Sequence, residues 1–318
     1  KSHLNTALKQ LDLGSLHYQG TLGNETLREQ IKKYLVRARG LSSGEILITN
    51  GSQEALFIVA QAVLQGGDNV AVEQLSYPPA CAALSSNGAN LITIEQDEFG
   101  IKPETLKRVL AKTKVKLLYL TPLHQYPTTV TLSPQRRSQI YRVAQQHDFL
   151  ILEDDYDHEF CNWEKPIPSI YSLDKEDRVI YQGTFNKLLH PSLRIGYMIA
   201  PKYLIEPIKS IYEQSSRFVP VSNQSILNSF ITSGQLNKHI RNVIETSKER
   251  KIVFTNLTKK TFNFSQESSG LQIIGKIKKE LDDVICYKKL LENNVVAYPL
   301  SNYYINKEIK QGLVLGYS

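Results

Sequence analysis

A lysine, a threonine and an arginine near the middle of the chain have the types and spacing to hold a phosphate-bearing aldehyde. Lys187 follows Thr184 closely, and Arg194 stands seven residues further on. A neutral lysine amine attacks an aldehyde to give a Schiff base, while guanidinium and hydroxyl groups bind phosphate. Pyridoxal phosphate (PLP) carries both groups. The three residues are therefore a candidate cofactor anchor, although the same pattern also occurs on ordinary basic surfaces.

Carboxylates cluster directly after an apolar run, at Glu153, Asp154, Asp155 and Asp157, with Tyr156 among them. A carboxylate beside a pyridine nitrogen keeps that nitrogen protonated, and a tyrosine hydroxyl can bond the phenolic oxygen of the same ring. Two alternatives stay open, since clustered acids also bind Mg²⁺ or Ca²⁺ and also cap helices. The sequence leaves open whether Asp154 or Asp155 faces the ring.

A glycine turn leads from a predicted strand into a predicted helix at Gly51, Ser52 and Gln53. Backbone amides at a helix N-terminus bind phosphate, so this turn is a candidate anion site. The alternative is that Ser52 acts only as the N-cap of the helix.

Two further polar or aromatic segments follow predicted strands. Tyr77 precedes two prolines and could offer its face to a flat ring or simply pack against those prolines. The turn at residues 121–129 contains His124 and Gln125, and we interpret His124 as a structural hydrogen-bonding residue because no serine or cysteine is placed to complete a triad.

Composition excludes several classes of protein. The chain has 318 residues with 38 Lys and Arg against 31 Asp and Glu, and these basic residues are scattered, which favours a solvated surface over a nucleic-acid groove. The three cysteines are far apart, so we expect neither disulfides nor a metal site, and we expect a cytoplasmic protein. No apolar run approaches the roughly 20 residues of a membrane helix, so no membrane contact is expected.

Short apolar runs alternate with helical patterns through the first two thirds of the chain. Strands are predicted at residues 45–49, 69–72, 90–94, 116–120, 149–152 and 178–181, and helices at 54–64, 79–86, 102–111 and 134–147. This alternation predicts an α/β fold with a mostly parallel sheet, whose ligands gather at the carboxyl ends of the strands. Beyond residue 201, helical stretches at 203–216 and 235–260 and strands at 271–277 and 312–317 predict a smaller α+β part.

Taken in order, these motifs resemble the fold-type-I PLP enzymes of the aspartate aminotransferase superfamily. More narrowly, the runs at residues 124–128, 153–160 and 181–187 resemble the aminotransferase-like domain of MocR/GabR-type transcription regulators of the GntR family. The resemblance covers nearly the whole chain. It implies a mostly parallel seven-stranded sheet in a large PLP-binding domain at residues 1–235, whose N-terminal segment is incomplete, and a long helix with a small α+β domain at 236–318.

The resemblance also implies a role for individual residues. Lys187 would hold PLP as a Schiff base, Asp154 would pair with the pyridine nitrogen and Tyr156 would bond the phenolic oxygen. The remaining implied cofactor contacts are Gly51, Ser52, Gln53, Tyr77, Gln125, Thr184 and Arg194, together with Tyr18 reaching across from a second subunit. A homodimer follows from that last contact.

Departures from the family pattern bear on activity. Val314 stands where the aminotransferases have a carboxylate-binding arginine, and Pro79 stands where GABA-responsive regulators have another. Asn186 and Thr129 replace a usual serine and glycine. These changes argue against efficient transamination of ordinary amino acids and favour a sensor over an enzyme.

The implied function is that of the PLP-binding, effector-sensing domain of a MocR-type transcription regulator. The effector would be PLP itself or a small amino compound, such as D-alanyl-D-alanine, that approaches or replaces the imine at Lys187. DNA would be bound only through a winged helix-turn-helix domain outside this chain, and the usual C-terminal helix would also lie outside it. The alternative is a free-standing PLP-dependent aminotransferase.

Overall fold

The computed structural model describes residues 20–41, 44–161, 167–264, 270–277, 281–305 and 310–317. Tyr18 lies outside these residues. The strands, in chain order, are β1 (Ile46–Thr49), β2 (Asn69–Glu73), β3 (Asn90–Ile94), β4 (Gln96–Asp97), β5 (Gly100–Ile101), β6 (Leu117–Leu120), β7 (Leu150–Asp155), β8 (Val179–Thr184), β9 (Gly196–Ile199), β10 (Phe262–Phe264), β11 (Gln272–Ile277), β12 (Tyr298–Pro299) and β13 (Leu313–Gly316).

Helices pack on both faces of the main sheet, and two further helices lie in the C-terminal third of the chain. They are α1 (Glu25–Arg39), α2 (Ser52–Val63), α3 (Pro78–Leu84), α4 (Pro103–Leu110), α5 (Pro134–His147), α6 (Lys202–Gln214), α7 (Val221–Thr232), α8 (Gln235–Thr258) and α9 (Asp283–Glu292). The predicted start of α5 is confirmed, because the Ser133 side chain accepts a hydrogen bond from the Arg136 amide and Pro134 occupies the first turn.

The main sheet has seven strands in the order β1-β9-β8-β7-β6-β2-β3. Strand β9 runs antiparallel to both of its neighbours, and the other pairings are parallel. The prediction of a mostly parallel seven-stranded sheet is therefore confirmed. Six of its strands coincide with the six predicted apolar runs, whereas β9 was not predicted.

Burial on both faces explains why the central strands are apolar without alternation. On β7, Leu150 and Leu152 pack into a cluster with α2, α3 and α6, while Ile151 packs into a second cluster with α4 and α5. A third cluster joins α1, α7 and the start of α8 to β1 and β9. Successive β7 side chains therefore point to opposite faces of the sheet, which decides the direction of each acidic residue at its end.

A second sheet follows α8 and is antiparallel throughout, in the order β10-β11-β13-β12. Its strands include the two that were predicted for the smaller α+β part. The division of the chain into domains at residue 235 remains a prediction. No described helix combines the length and the apolar character needed to cross a bilayer.

Candidate functional site

A cavity of about 180 Å³ opens at the carboxyl ends of β6, β7 and β8, beside the first turn of α2. Its lining unites residues that are far apart in the chain. Among the residues predicted from the sequence, the cavity is lined by Ser52, Gln53, Tyr77, Asp154, Tyr156, Thr184, Lys187 and Arg194; the other lining residues are Tyr119, Thr121, Tyr126, Asn186 and Pro191.

One end of the cavity is formed by the turn between β1 and α2. Gly51 has φ 87°, a conformation that side chains with a Cβ rarely adopt, and a Cβ there would lie 2.7 Å from Nδ2 of Asn186. Gly51 is also the N-cap of α2 without a side-chain cap, so the alternative of Ser52 as the N-cap is wrong: Ser52 is the first helical residue. The Arg194 guanidinium lies over this turn and donates from Nη2 to the Asn50 carbonyl, at 2.8 Å.

The turn that carries Lys187 is held by a hydroxyl and an amide. The Thr184 hydroxyl donates to the Ile195 carbonyl and accepts from the Asn186 amide, each at 3.2 Å. The Asn186 side chain in turn accepts from the Ile195 amide at 3.2 Å. Thr184 ends β8 and Ile195 precedes β9. These hydrogen bonds therefore connect the ends of the two strands and hold the backbone of the turn that carries Lys187.

Asp154 lines the cavity and Asp155 does not. Asp154 lies on the same face of β7 as Leu152, and its Oδ2 accepts from the Tyr119 hydroxyl at 3.1 Å. Asp155 lies on the opposite face, where its Oδ2 is 2.7 Å from Nε of Arg39 and accepts from the Tyr181 hydroxyl at 2.6 Å.

The two neighbouring aspartates have opposite electrostatics. Burial raises the pKa of Asp154 to about 7. Burial would also raise the pKa of Asp155, but the Arg39 guanidinium, His158, the Tyr181 hydrogen bond and Arg137 together outweigh it and hold that pKa below its usual value. Asp155 is therefore half of a buried ion pair, whereas Asp154 has no cationic partner within ion-pair distance among the described residues.

The other two acids of the cluster are committed elsewhere. Glu153 accepts from the amides of Ile170 and Tyr171. Asp157 is 2.7 Å from Nδ1 of His124, and this buried pair fits the structural role expected for His124. Within the described parts of the chain no group of three or more His, Cys, Asp or Glu side chains could hold a metal ion. The acids therefore diverge instead of converging on one point.

The aromatic rings of Tyr77, Tyr126 and Tyr156 line the cavity. The Tyr126 ring meets Tyr77 edge-on with centroids 5.0 Å apart, and it meets Tyr156 and Tyr303 in the same manner at 6.0 and 5.5 Å. Val314 is 4% exposed and lies in the apolar cluster on which Tyr126 packs. Val314, which stands where the aminotransferases have a carboxylate-binding arginine, is thus part of the apolar cluster behind Tyr126.

A model of the aminotransferase class I and II family matches residues 5–311. The chain belongs to this family. It is 30% identical over 309 residues to the probable rhizopine catabolism regulatory protein MocR of Rhizobium meliloti, which covers 95% of this chain and 62% of that protein. It is also 30% identical over 317 residues to the uncharacterized aminotransferase SSO0104 of Saccharolobus solfataricus, which covers 96% and 79%.

A solved structure of a family member has the same fold. The crystal structure of Pyrococcus horikoshii kynurenine aminotransferase in complex with PMP has a TM-score of 0.92 at 28% identity, covering 99% of this chain and 81% of that one. The chain itself spans 62% of the length of MocR. Family membership and the ligands of such complexes imply pyridoxal phosphate as the cofactor.

The residues of this family member fit that cofactor. Oδ1 of Asp154 and Oε1 of Gln53 are buried without a hydrogen-bond partner among the described residues, so the cavity has unused polar atoms for a ligand. The Gly51 turn leaves room that a Cβ would fill. A lysine amine, a guanidinium and a buried carboxylate therefore line one cavity, which suits an aldehyde, a phosphate and a ring nitrogen respectively.

Two predicted contacts among the described residues are not part of the cavity lining: Gly51, which lies in the turn beside it, and Gln125. The side-chain amide of Gln125 donates to the Leu75 and Tyr126 carbonyls at 2.6 and 2.7 Å, and its oxygen accepts from the Thr128 hydroxyl at 2.6 Å. The Gln125 side chain thus holds the conformation of the loop that contains Tyr126. The lining residues that were not predicted are Tyr119, Thr121, Tyr126, Asn186 and Pro191. Four of them follow the end of a strand, which is a position that the sequence could have indicated. Tyr119 lies inside β6, and no sequence pattern marks it.

Proposed function

We propose that this chain is the PLP-binding, effector-sensing part of a MocR-type transcription regulator. The observation that carries the proposal is the pairing of a cavity lined by Lys187, Asp154 and Arg194 with 30% identity to MocR over 95% of the chain. The effector is PLP itself or an amino compound such as D-alanyl-D-alanine. The DNA-binding function belongs to the rest of the full-length protein.

Within this proposal each cavity residue has one task. PLP, when bound, supplies an electrophilic carbon and an electron-withdrawing ring. Lys187 provides the amine that holds the cofactor covalently, and Asp154 holds a proton on the ring nitrogen. The hydroxyl of Tyr156, which otherwise donates to the His124 carbonyl at 3.0 Å, binds the phenolic oxygen.

The phosphate is bound at the opposite end. The first turn of α2, the Thr184 hydroxyl and the Arg194 guanidinium converge there, and a helix N-terminus beside a guanidinium favours a dianion. Tyr77 covers the ring, and the hydroxyl of the partner subunit's Tyr18 completes the phosphate contacts. A homodimer in the cytoplasm is part of this proposal, and sedimentation velocity of the full-length protein would test the dimer.

Sensing, as distinct from turnover, is supported by the small number of cations in the cavity lining and by the valine at position 314. Lys187 and Arg194 are the cations in the described lining, and both have tasks toward the cofactor. Val314 belongs to an apolar cluster, so it cannot form the bidentate contact that orients a substrate carboxylate. An amino ligand would therefore bind without being aligned for repeated proton transfer, and its effect would be a shift in conformational population.

The test uses the full-length protein and two lysine variants. PLP should give an absorption band that borohydride bleaches, and Lys187→Ala should lack it, whereas Lys202→Ala, an exposed lysine on α6, should keep it. Amino acids, D-amino acids, dipeptides and excess PLP are then screened for changes in that band and in binding to DNA from beside the protein's own gene. The regulator proposal would be overturned if the affinity for DNA stayed the same with every ligand that changes the absorption band.

The second candidate is a free-standing aminotransferase. It is favoured by the 30% identity to SSO0104, of which the chain covers 79%, and by the TM-score of 0.92 to kynurenine aminotransferase. Incubation with amino donors and a keto acid separates the two candidates. Sustained multiple turnover supports the enzyme, while a single change of the cofactor band without turnover supports the sensor.

A further inference from the structure

Tyr119 lines the cavity from within strand β6 of the main sheet. It stands on β6 next to β7, on the face that also carries Asp154. The ring is 1% exposed, and its hydroxyl donates to Oδ2 of Asp154 at 3.1 Å. Burial raises the pKa of the Tyr119 phenol, so the hydroxyl stays protonated and remains a donor.

The two carboxylate oxygens of Asp154 differ in their hydrogen bonding. Oδ2 is held by Tyr119, while Oδ1 is buried and has no hydrogen-bond partner among the described residues. Since Asp154 lines the cavity, the free oxygen is the one that remains for a ligand. Tyr119 therefore orients the carboxylate through Oδ2, and the Gln182 side chain, opposite Asp154 on β8, also favours its ionised form.

The charges around Asp154 give it little other support. The nearby carboxylates of Asp157 and of Asp155, which points to the other face of the sheet, disfavour the ionised form of Asp154. The phenols of Tyr77 and Tyr156 interact with it, and the cations of Lys187 and Arg194 line the same cavity without an ion pair to it among the described residues. Arg39 and Arg137 lie on the other face of the sheet with Asp155 and Glu153.

We propose that Tyr119 is a positioning residue that keeps Asp154 an unprotonated carboxylate, with Oδ1 directed at the ring nitrogen of PLP. A proton between the carboxylate and the nitrogen stays with the stronger base. The Tyr119 hydrogen bond makes the carboxylate the weaker base, so the proton remains on the ring. This inference rests on the proposed function, because it presumes that PLP occupies the cavity.

Tyr181 offers a matched control. Its hydroxyl donates to Oδ2 of Asp155 at 2.6 Å, and both rings are buried in neighbouring parts of the same sheet. Tyr181→Phe removes the same group from the adjacent aspartate, but that aspartate points away from the cavity. Comparing Tyr119→Phe with Tyr181→Phe therefore separates an effect on the ring nitrogen from a general effect of losing a buried hydroxyl.

The experiment measures the ¹⁵N chemical shift of PLP labelled at the ring nitrogen, bound to the full-length protein, together with the dissociation constant of PLP. Tyr119→Phe should move the shift toward that of an unprotonated pyridine and weaken binding about tenfold, as expected for a hydrogen bond to a charged group. Tyr181→Phe should leave both values as in the wild type.

Each outcome has a distinct meaning. Equal effects of the two variants on the shift, or none from Tyr119→Phe, would overturn the inference while leaving PLP binding intact. A wild-type protein that does not bind PLP would refute the proposed function and the inference with it. In an Asp154→Asn background Tyr119→Phe should have no further effect on the shift, because the tyrosine acts through the carboxylate; an additive effect would also overturn it.

Discussion

Replacing Gly51 by alanine should disturb the cofactor cavity in a way that can be worked out from the turn itself. Gly51 has φ 87°, and the new Cβ would lie 2.7 Å from Nδ2 of Asn186, closer than van der Waals contact allows. The backbone conformation costs about 1–3 kcal/mol for a residue with a side chain. The Asn186 side chain must also move, which threatens its hydrogen bond to the Ile195 amide and costs about 1 kcal/mol more.

The expected total is a loss of about 2–4 kcal/mol in the free energy of unfolding, together with weaker PLP binding. Gly40→Ala is the control, because Gly40 has φ 68° at the end of α1 and nothing lies within 4 Å of its added Cβ. That variant should lose only about 1–2 kcal/mol, from the left-handed backbone.

Urea unfolding of the cofactor-free proteins measures the stability of both variants, and titration of the absorption band measures their affinity for PLP. The PLP affinity should fall for Gly51→Ala and stay unchanged for Gly40→Ala. If both variants lose the same stability and bind PLP as the wild type does, the crowded turn does not shape the phosphate end of the cavity.

Three further perturbations test other contacts. Arg194→Ala should weaken PLP binding by about 1.5–3 kcal/mol, since it removes a charge-assisted hydrogen bond from an exposed guanidinium to the phosphate; unchanged affinity by absorbance titration would contradict the proposed phosphate contact. Arg39→Ala should cost about 3–5 kcal/mol in urea unfolding, because it strands the buried Asp155 carboxylate, and a loss below about 1 kcal/mol would argue against a buried ion pair. The raised pKa of Asp154 means that its protonated form favours folding, so cofactor-free wild type should lose stability relative to Asp154→Asn as the pH rises from 3.8 to about 7. A difference between those two proteins that does not change with pH would contradict the burial of an ionisable carboxyl.

Local sequence information determined much of this protein. Six of the seven sheet strands were predictable because strands buried on both faces are continuous apolar runs. The types and spacing of Lys187, Thr184 and Arg194 predicted a covalent anchor and a phosphate clamp, and all three residues line one cavity. The strand β9, Gly196–Ile199, escaped prediction because it follows β8 without an α-helix between, outside the alternation of strands and helices on which the prediction rested.

Tertiary structure alone decided which polar groups meet. Asp154 and Asp155 are equivalent in sequence, yet the side-chain alternation of β7 directs one to the cavity and the other to Arg39. Gln125 was predicted as a cofactor contact, but its hydrogen bonds hold the Tyr126 loop instead. Tyr119 reaches the site only through the pairing of β6 with β7. Contacts between strands depend on sheet order and register, and these are set by the packing of the whole chain, so no local pattern in the sequence contains them.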